Sequence, residues 1–236
     1  MYKHVIFLYT SYFCKKKLAL HYCYDGINVK KYTDIIDNVK NQFSHLDFNI
    51  HVVYTASSNF NSIYDIDSYF EDTEFIDYLD YKKFISYISK DTKISAIDVA
   101  KAILCKKDLS NLELQKILYF VAVRFLKKYD IQLFEEEFGC WEFGPVVSSV
   151  YHNYKEYGKK RISIDNKFKV IVFSKLSRFD HYYDLLYIID DVLEEYKNCL
   201  PKTLVDISHK SGGAWRESQK LGNNTISWDL MKSCND

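Results

Sequence analysis

The feature that most constrains the fold is a long amphipathic helix predicted to begin after Ser110. Ser110 and Glu113 stand three residues apart and match the capping-box pattern that opens a helix. Apolar residues then recur at intervals of three and four over about four turns, at Leu114, Ile117, Leu118, Val121, Ala122, Phe125, Leu126 and Tyr129. A stripe of this length must be covered by other elements, so we expect a helical core built around it.

Capping and spacing patterns predict shorter elements around this helix. Ser95 with Asp98 opens a helix to about Cys105, and Pro201 stands at the first position of a helix through His209. The remaining predictions, in chain order, are a hairpin or edge strands over 162–164 and 169–173, a helix over 183–196, a break at Gly212-Gly213 and a last short helix led by Ala214-Trp215.

A short β element is predicted just before a Gly-Pro pair. Trp141 and Phe143 alternate as the residues of a strand do. Gly144 then falls at a helix N-cap and Pro145 at the first helical position, where its fixed φ fits and an N–H is not needed. The helix, ending near Gly158, carries valines and a ridge of tyrosines at helical spacing: Val147, Val150, Tyr151, Tyr154 and Tyr157. This sharp bend, framed by large aromatic rings, indicates a packing and recognition element.

Residues 1–92 have a different character and predict a small α/β domain. Apolar and β-branched runs at 4–9 and 49–54 predict two strands, and apolar spacing over 33–44 predicts a helix between them. A strand–helix–strand order indicates a parallel pair. The segment 17–24 fits a strand or a helix equally well.

Charge is balanced over the whole chain but uneven along it. There are 32 basic and 32 acidic residues, so the basic excess typical of phosphate-backbone binding is missing and no nucleic-acid partner is expected. Residues 47–80 contain no Lys or Arg, and the acidic strip over 66–88 is predicted to be helical in pieces. Its acids, including Asp72, Glu74 and Asp77, would attract a basic partner surface.

Catalytic and metal-binding patterns are weak throughout the sequence. Cys140 and His152 lack an evident third group to orient a base, so a buried thiol is favoured over a nucleophile. His21 and Cys23 give only two metal ligands, and the run 135–137 fits a solvated acidic segment better than a paired-carboxylate site. With no Gly-rich phosphate loop either, we expect no enzyme activity, no cofactor and no metal.

Composition favours long regular elements. The chain has 7 Gly and 2 Pro in 236 residues, which disfavours a turn-rich β-sandwich. No apolar run reaches membrane-spanning length and no signal peptide is recognised, so we expect a cytoplasmic protein with reduced thiols. Residues 90–94 form a plausible junction. The predicted fold is therefore α+β and mostly helical, with a small α/β domain over 1–92 and a helical domain with a short β element over 95–236.

Several motifs of the second half, taken in order, resemble one family. They are Leu112–Tyr119, Leu133–Glu136, Trp141–Val146, Val150-Tyr151 with Tyr154, Thr203–His209 and Ala214-Trp215. Together they resemble the Panacea antitoxin domain, also called SocA-like or phage-associated GepA-like, over about residues 95–231. The resemblance implies a mostly helical domain found in antitoxins and in a proteolytic adaptor. Such antitoxins neutralise a toxin by direct protein–protein contact.

The resemblance leads to a functional expectation with two alternatives. We expect a non-enzymatic antitoxin that binds a cognate toxin; the alternatives are an adaptor that delivers a client to a protease, and an enzyme or toxin activity in residues 1–92. Residues 1–92 do not resemble the DNA-binding helix-turn-helix of some family members. The candidate partner-binding residues are Trp141, Phe143, Gly144, Pro145, Tyr151, Tyr154, Trp215 and Arg216, with Asp72, Glu74 and Asp77 of the acidic strip. Large aromatics such as Trp141, Phe143 and Trp215 are core anchors by default, but Trp215 and Arg216 follow Gly212-Gly213 and are expected in an exposed turn.

Overall fold

A computed structural model describes residues 1–234 and shows the predicted α+β, mostly helical class. The chain divides into two compact units, Met1–Lys93 and a second unit that starts at Ile94. Among the described residues, no helix is long and apolar enough to cross a membrane.

The first unit is built on a four-stranded sheet in the order β3-β1-β2-β4. The strands are β1 (Tyr2–Ser11), β2 (Lys16–Cys23), β3 (Asn49–Thr55) and β4 (Thr73–Asp77). β1 is antiparallel to both β2 and β3, and only β2 and β4 are parallel. The predicted parallel pairing of the first and third strands is wrong, because β2 forms a hairpin with β1 and helix α1 then connects β2 to β3.

Helices cover both faces of this sheet. α1 (Val29–Gln42) and α3 (Tyr81–Asp91) pack on the face that carries Phe7, Leu18 and Leu20. The short α2 (Asn61–Tyr64) and a 3₁₀ turn (Ser68–Phe70) cover the opposite face with buried apolar residues. The segment predicted as helical pieces instead holds β4, a second 3₁₀ turn (Tyr78–Asp80) and α3. Residues Thr73–Asp77 form β4 and pair with β2. This pairing overrides the helical spacing of the local sequence.

The second unit is organised around one central helix, as predicted. α5 (Asn111–Tyr129) opens with the Ser110–Glu113 capping box, and α4 (Ala96–Lys106) opens with the Ser95–Asp98 box. α5 contacts elements on all sides, so even polar residues of its first turns are buried. The surrounding elements are α6 (Ser148–Tyr154), a 3₁₀ turn (Lys155–Tyr157), α7 (Asn166–Leu176), α8 (Tyr182–Glu195), α9 (Pro201–Ser208), α10 (Ala214–Lys220) and α11 (Trp228–Ser233).

A three-stranded sheet in the order β6-β5-β7 crosses this bundle, with β5 (Phe138–Trp141), β6 (Gly144–Val146) and β7 (Thr225–Ile226). The prediction that Gly144 and Pro145 open a helix is therefore wrong. Both lie in β6, where Gly144 opposes Trp141 and Pro145 opposes Cys140. A proline is tolerated there because β6 is an edge strand, and α6 begins only after Val147.

Two further predictions near the end of the chain need correction. The region expected to form a hairpin or edge strands at 162–164 and 169–173 holds one isolated bridge between Leu109 and Ile162 and the helix α7. Asp165 accepts a hydrogen bond from the backbone N–H of Lys167 at 3.0 Å and so caps that helix. The helix led by Ala214 is not the last, because α11 follows β7.

Candidate partner-binding site

The site is centred on the hairpin formed by β5 and β6. Two residues, Glu142 and Phe143, connect the paired Trp141 and Gly144. The Phe143 side chain is 60% exposed and Trp141 is 38% exposed. Two large apolar rings are therefore exposed on a tight turn.

The hairpin is held from behind by Trp215. Its indole Nε1 donates a hydrogen bond to the Trp141 carbonyl at 2.9 Å, and its own carbonyl accepts from the Cys140 thiol at 3.6 Å. The Trp215 ring stacks on the His209 ring with centroids 3.6 Å apart. Trp215 is only 5% exposed, so the prediction that it lies in an exposed turn is wrong. Gly213 is the N-cap of α10, and Trp215 falls in its first turn, facing inward.

Arg216 lies beside Trp215, and Tyr151 contacts Trp141 of the hairpin. The Arg216 side chain is exposed, lies 5.3 Å from the Trp215 ring centroid and donates from Nε to the His209 carbonyl at 3.3 Å. The Tyr151 ring meets the Trp141 ring edge-on, with centroids 5.0 Å apart. An exposed guanidinium beside aromatic rings is typical of protein-binding surfaces.

A buried lysine lies directly beneath the hairpin. The Lys116 side chain is 1% exposed, and its Nζ donates a hydrogen bond to the Pro145 carbonyl at 2.7 Å. Burial lowers the pKa of Lys116 to about 7. No carboxylate within the described residues forms an ion pair with Lys116 that would offset its burial, and Nζ donates to a backbone carbonyl instead.

Gly144 is required by this close packing. Its φ of +98° is a backbone conformation that favours glycine. A Cβ at this position would lie 2.6 Å from the Ser208 Oγ and 2.9 Å from the Lys116 Nζ. Lys116, Ser208 and the hairpin backbone therefore converge on one point.

Two amides of α5 fix the chain that leaves the hairpin. The Gln115 Oε1 accepts from the Val147 N–H at 2.9 Å at the start of α6, and its Nε2 donates to the Asn111 Oδ1 at 3.3 Å. The Asn111 Nδ2 donates in turn to the Tyr151 carbonyl at 3.1 Å. These bonds make the hairpin and α6 one rigid support.

The predicted candidates thus fall into three groups. Trp141, Phe143, Gly144, Pro145, Tyr151, Trp215 and Arg216 come together around the hairpin. Tyr154 does not share this surface: it is buried, burial raises its pKa to about 12, and it lines a separate groove with Ile162. Asp72, Glu74 and Asp77 belong to the first unit.

The three acids of the first unit differ in their contacts with the rest of that unit. Glu74 forms an ion pair with Lys83 at 3.0 Å, and this contact lowers its pKa. Asp77 accepts from the Leu79 N–H at 2.8 Å and caps a 3₁₀ turn. Asp72 is exposed in a turn.

The sequence reasoning missed the polar residues beneath the hairpin, namely Asn111, Gln115, Lys116, Ser208 and His209. A signal was present, because Asn111 and Gln115 stand four residues apart on a helix that is otherwise apolar on several faces. Nothing in the sequence indicated that Lys116 would face inward.

The weaker chemical candidates have structural roles in the fold. Burial raises the pKa of the Cys140 thiol, which disfavours the reactive thiolate, and the nearby His152 is exposed and contacts Tyr151. The Nε2 atom of His21 is hydrogen-bonded to the Nδ1 atom of His4 at 2.8 Å. Glu136, in the run expected to be solvated, accepts from the Ala96 N–H at 3.1 Å at the start of α4. Searched over residues 1–234, the chain has no cluster of metal-ligand side chains.

The fold and the site together define a helical domain that displays an aromatic hairpin over a buried lysine. Residues 114–216 match the family described as Antitoxin SocA-like, Panacea domain. The predicted resemblance is thus confirmed over this stretch, which contains Lys116, the hairpin, His209 and Trp215. Residues 1–92 lie outside the match.

One curated relative supports the same family. Antitoxin SocA of Caulobacter vibrioides (strain NA1000 / CB15N) is 36% identical over 110 residues, which cover 45% of this chain and 58% of the relative. The chain thus spans little more than half the length of that relative. No solved structure matches the chain.

Proposed function

We propose that this chain is an antitoxin that neutralises a cognate toxin by direct binding, with the β5–β6 hairpin at the centre of the contact surface. The family match and the SocA relative support an antitoxin role. The observation that carries the contact surface is the exposure of Phe143 and Trp141 on a rigidly held turn.

The energetics of binding favour this surface. A few residues at the centre of an interface, often aromatic, carry most of the binding energy, and truncating one of them costs about 2 kcal/mol or more. The hairpin is held by Lys116, Gln115 and Trp215 before any partner arrives. Little conformational entropy is then lost on binding, so more of the contact energy is expressed as affinity.

The acidic residues of the first unit serve partner choice in this proposal. Asp72 and Asp77 are exposed, and the surrounding stretch 47–80 carries no Lys or Arg. Such a surface attracts a basic toxin face and raises the association rate at low salt. Charge reversal of Asp72, Glu74 and Asp77 is expected to weaken neutralisation and reduce its salt dependence. Unchanged rescue by that triple variant would remove the acidic strip from the proposal.

Neutralisation in cells tests the hairpin directly. The candidate toxin is the product of a gene adjacent to the one that encodes this chain, chosen because it is lethal when expressed alone. It is expressed with either wild-type protein or Phe143→Ser. We expect Phe143→Ser to lose protection while being produced at the wild-type level. Phe168→Ser is the matched control, because Phe168 is an exposed phenylalanine on α7, away from the hairpin. Full protection by Phe143→Ser combined with Trp141→Ser would contradict the proposal.

The fate of the toxin separates occlusion from proteolytic delivery. We expect the toxin to stay at a constant level in protected cells, in complex with this chain. Toxin that disappears in protected cells, and returns when proteases are inhibited, would show delivery instead.

A further inference from the structure

β3 is an open edge of the sheet in the first unit. Within residues 1–234, no strand pairs with the side of β3 that faces away from β1. In an antiparallel pair, alternate residues direct their N–H and C=O groups away from the partner strand. The outer side of Asn49–Thr55 therefore presents a row of backbone donors and acceptors that a further strand can bind.

β3 lacks the features that normally protect an edge. It contains no charged residue, no proline and no glycine. The other edge strand, β4, carries Glu74 and Asp77, which oppose pairing with a copy of itself. An uncharged seven-residue edge is unusual for a strand that remains unpaired in solution.

One face of β3 also carries an uncovered apolar stripe. Ile50, Val52 and Tyr54 alternate along the strand and are each about half exposed. They lie in register with Phe7, Val5 and Lys3 of β1 respectively. The stripe thus continues the apolar face that α1 and α3 cover further into the sheet.

We propose that β3 pairs with β3 of a second copy of this chain, antiparallel about a two-fold axis through Val52. In that register Val52 opposes Val52, and Ile50 opposes Tyr54 of the other copy. A shift by one residue would oppose stripe residues with residues of the other face. A shift by two residues keeps the faces matched but pairs fewer of the seven residues of the strand, so the register centred on Val52 is favoured. The two sheets join into one eight-stranded sheet, and no like charges meet.

A second copy fits this edge better than an unrelated strand. Ile50 and Tyr54 stand two residues on either side of Val52, and both are large and apolar. The stripe therefore has the symmetric pattern that an isologous two-fold interface requires. Cross-strand aromatic and β-branched pairs, here Ile50 with Tyr54, are favourable in antiparallel sheets.

Charge variants at the axis test the pairing on the full-length chain. Sedimentation equilibrium should show a wild-type dimer. Val52→Lys and Val52→Glu each place like charges opposite one another, and each should raise the dimer dissociation constant by roughly tenfold or more. An equimolar mixture of the two variants should restore dimers, because Lys then opposes Glu. Val170→Lys is the matched control, since Val170 is an exposed valine on α7.

A disulfide gives a second, geometric test. Opposed residues of an antiparallel pair have Cα atoms about 4.5 to 5.5 Å apart, which lies within the range that a disulfide spans. Val52→Cys should therefore form a 52–52 cross-link under mild oxidation, identified by mass spectrometry. The unsubstituted chain, with its six free thiols, measures the background. A wild-type chain that stays monomeric up to about 100 µM, a Val52→Lys variant that dimerises like wild type, or a Val52→Cys variant without the 52–52 link would overturn the proposal.

Discussion

Replacing the buried lysine by methionine is expected to stabilise the second unit at neutral pH. Burial lowers the pKa of Lys116 from 10.5 to about 7, and each pKa unit corresponds to about 1.4 kcal/mol. The folded state at pH 7 therefore carries an unfavourable contribution of about 4 kcal/mol from this side chain. Lys116→Met removes that contribution but leaves the Pro145 carbonyl without its donor, a loss of about 1–3 kcal/mol. The expected net gain is about 2 kcal/mol.

The sign of this effect depends on pH. A lysine with a lowered pKa in the folded state destabilises the protein below its unfolded pKa, and the destabilisation fades as pH rises from about 7 towards 10.5. Wild type should therefore gain stability relative to Lys116→Met over this interval. Near pH 10 the variant should be the less stable chain, because only the lost hydrogen bond remains.

Urea unfolding of both proteins at pH 7 and pH 10 measures the difference, and subtraction removes the titration of groups that they share. Lys202→Met is the matched control, because Lys202 is an exposed lysine on α9, the helix that ends at Ser208 of the site. A Lys116→Met variant that is less stable than wild type at pH 7 by more than about 1 kcal/mol would refute the reasoning. So would a difference that is the same at both pH values.

Two further predictions concern stability and titration. Gly144→Ala should cost about 3 kcal/mol or more, because φ is +98° and the added Cβ meets the Ser208 Oγ at 2.6 Å. Gly222→Ala, at φ +69° with open space around it, should cost only about 1 kcal/mol in the same urea series, and equal losses would show that crowding is unimportant. His21 should remain neutral down to acid pH, because burial and then the neighbouring His4 lower its pKa to about 4. The contribution of His21 to the free energy of unfolding is therefore fully present above pH 6.5. It is lost as pH falls towards 4, where the free energy of unfolding has dropped by up to about 3 kcal/mol. Ring NMR of His21 with a titration midpoint near 6.5 would contradict this.

Elements whose signals are local could be predicted from the sequence. The capping boxes at Ser95 and Ser110 each join residues three apart, so a short window contains both partners. Pro201 at the first position of α9 is another local signal. These patterns located the central helix, which in turn sets the architecture of the second unit.

The Gly-Pro prediction failed because the deciding interaction is a pairing between strands. A glycine followed by proline fits a helix start and an edge strand alike, and only the register of Pro145 against Cys140 distinguishes them. The parallel pairing in the first unit failed for a similar reason. β2 had no decisive periodicity, yet its hairpin with β1 determines the direction of β3.

The candidate site was predicted at its surface but not beneath it. Trp141 and Phe143 are candidates because large aromatics beside a bend stand out in a sequence, and their place in the site stays a prediction. Lys116 was missed because a lysine is almost always solvated, and its partner carbonyl is 29 residues further along the chain. An exposed turn is expected at Trp215 because two glycines precede it, whereas Gly213 is the N-cap of α10 and Trp215 lies in the first turn of that helix, facing inward.

The most direct measurement is the affinity of the purified chain for its toxin, by titration calorimetry, with Phe143→Ser and the control Phe168→Ser. If the hairpin is the centre of the interface, Phe143→Ser raises the dissociation constant by roughly 30-fold or more, while Phe168→Ser stays within about threefold of wild type. Equal affinities for wild type and Phe143→Ser would contradict the proposal that this hairpin binds the toxin.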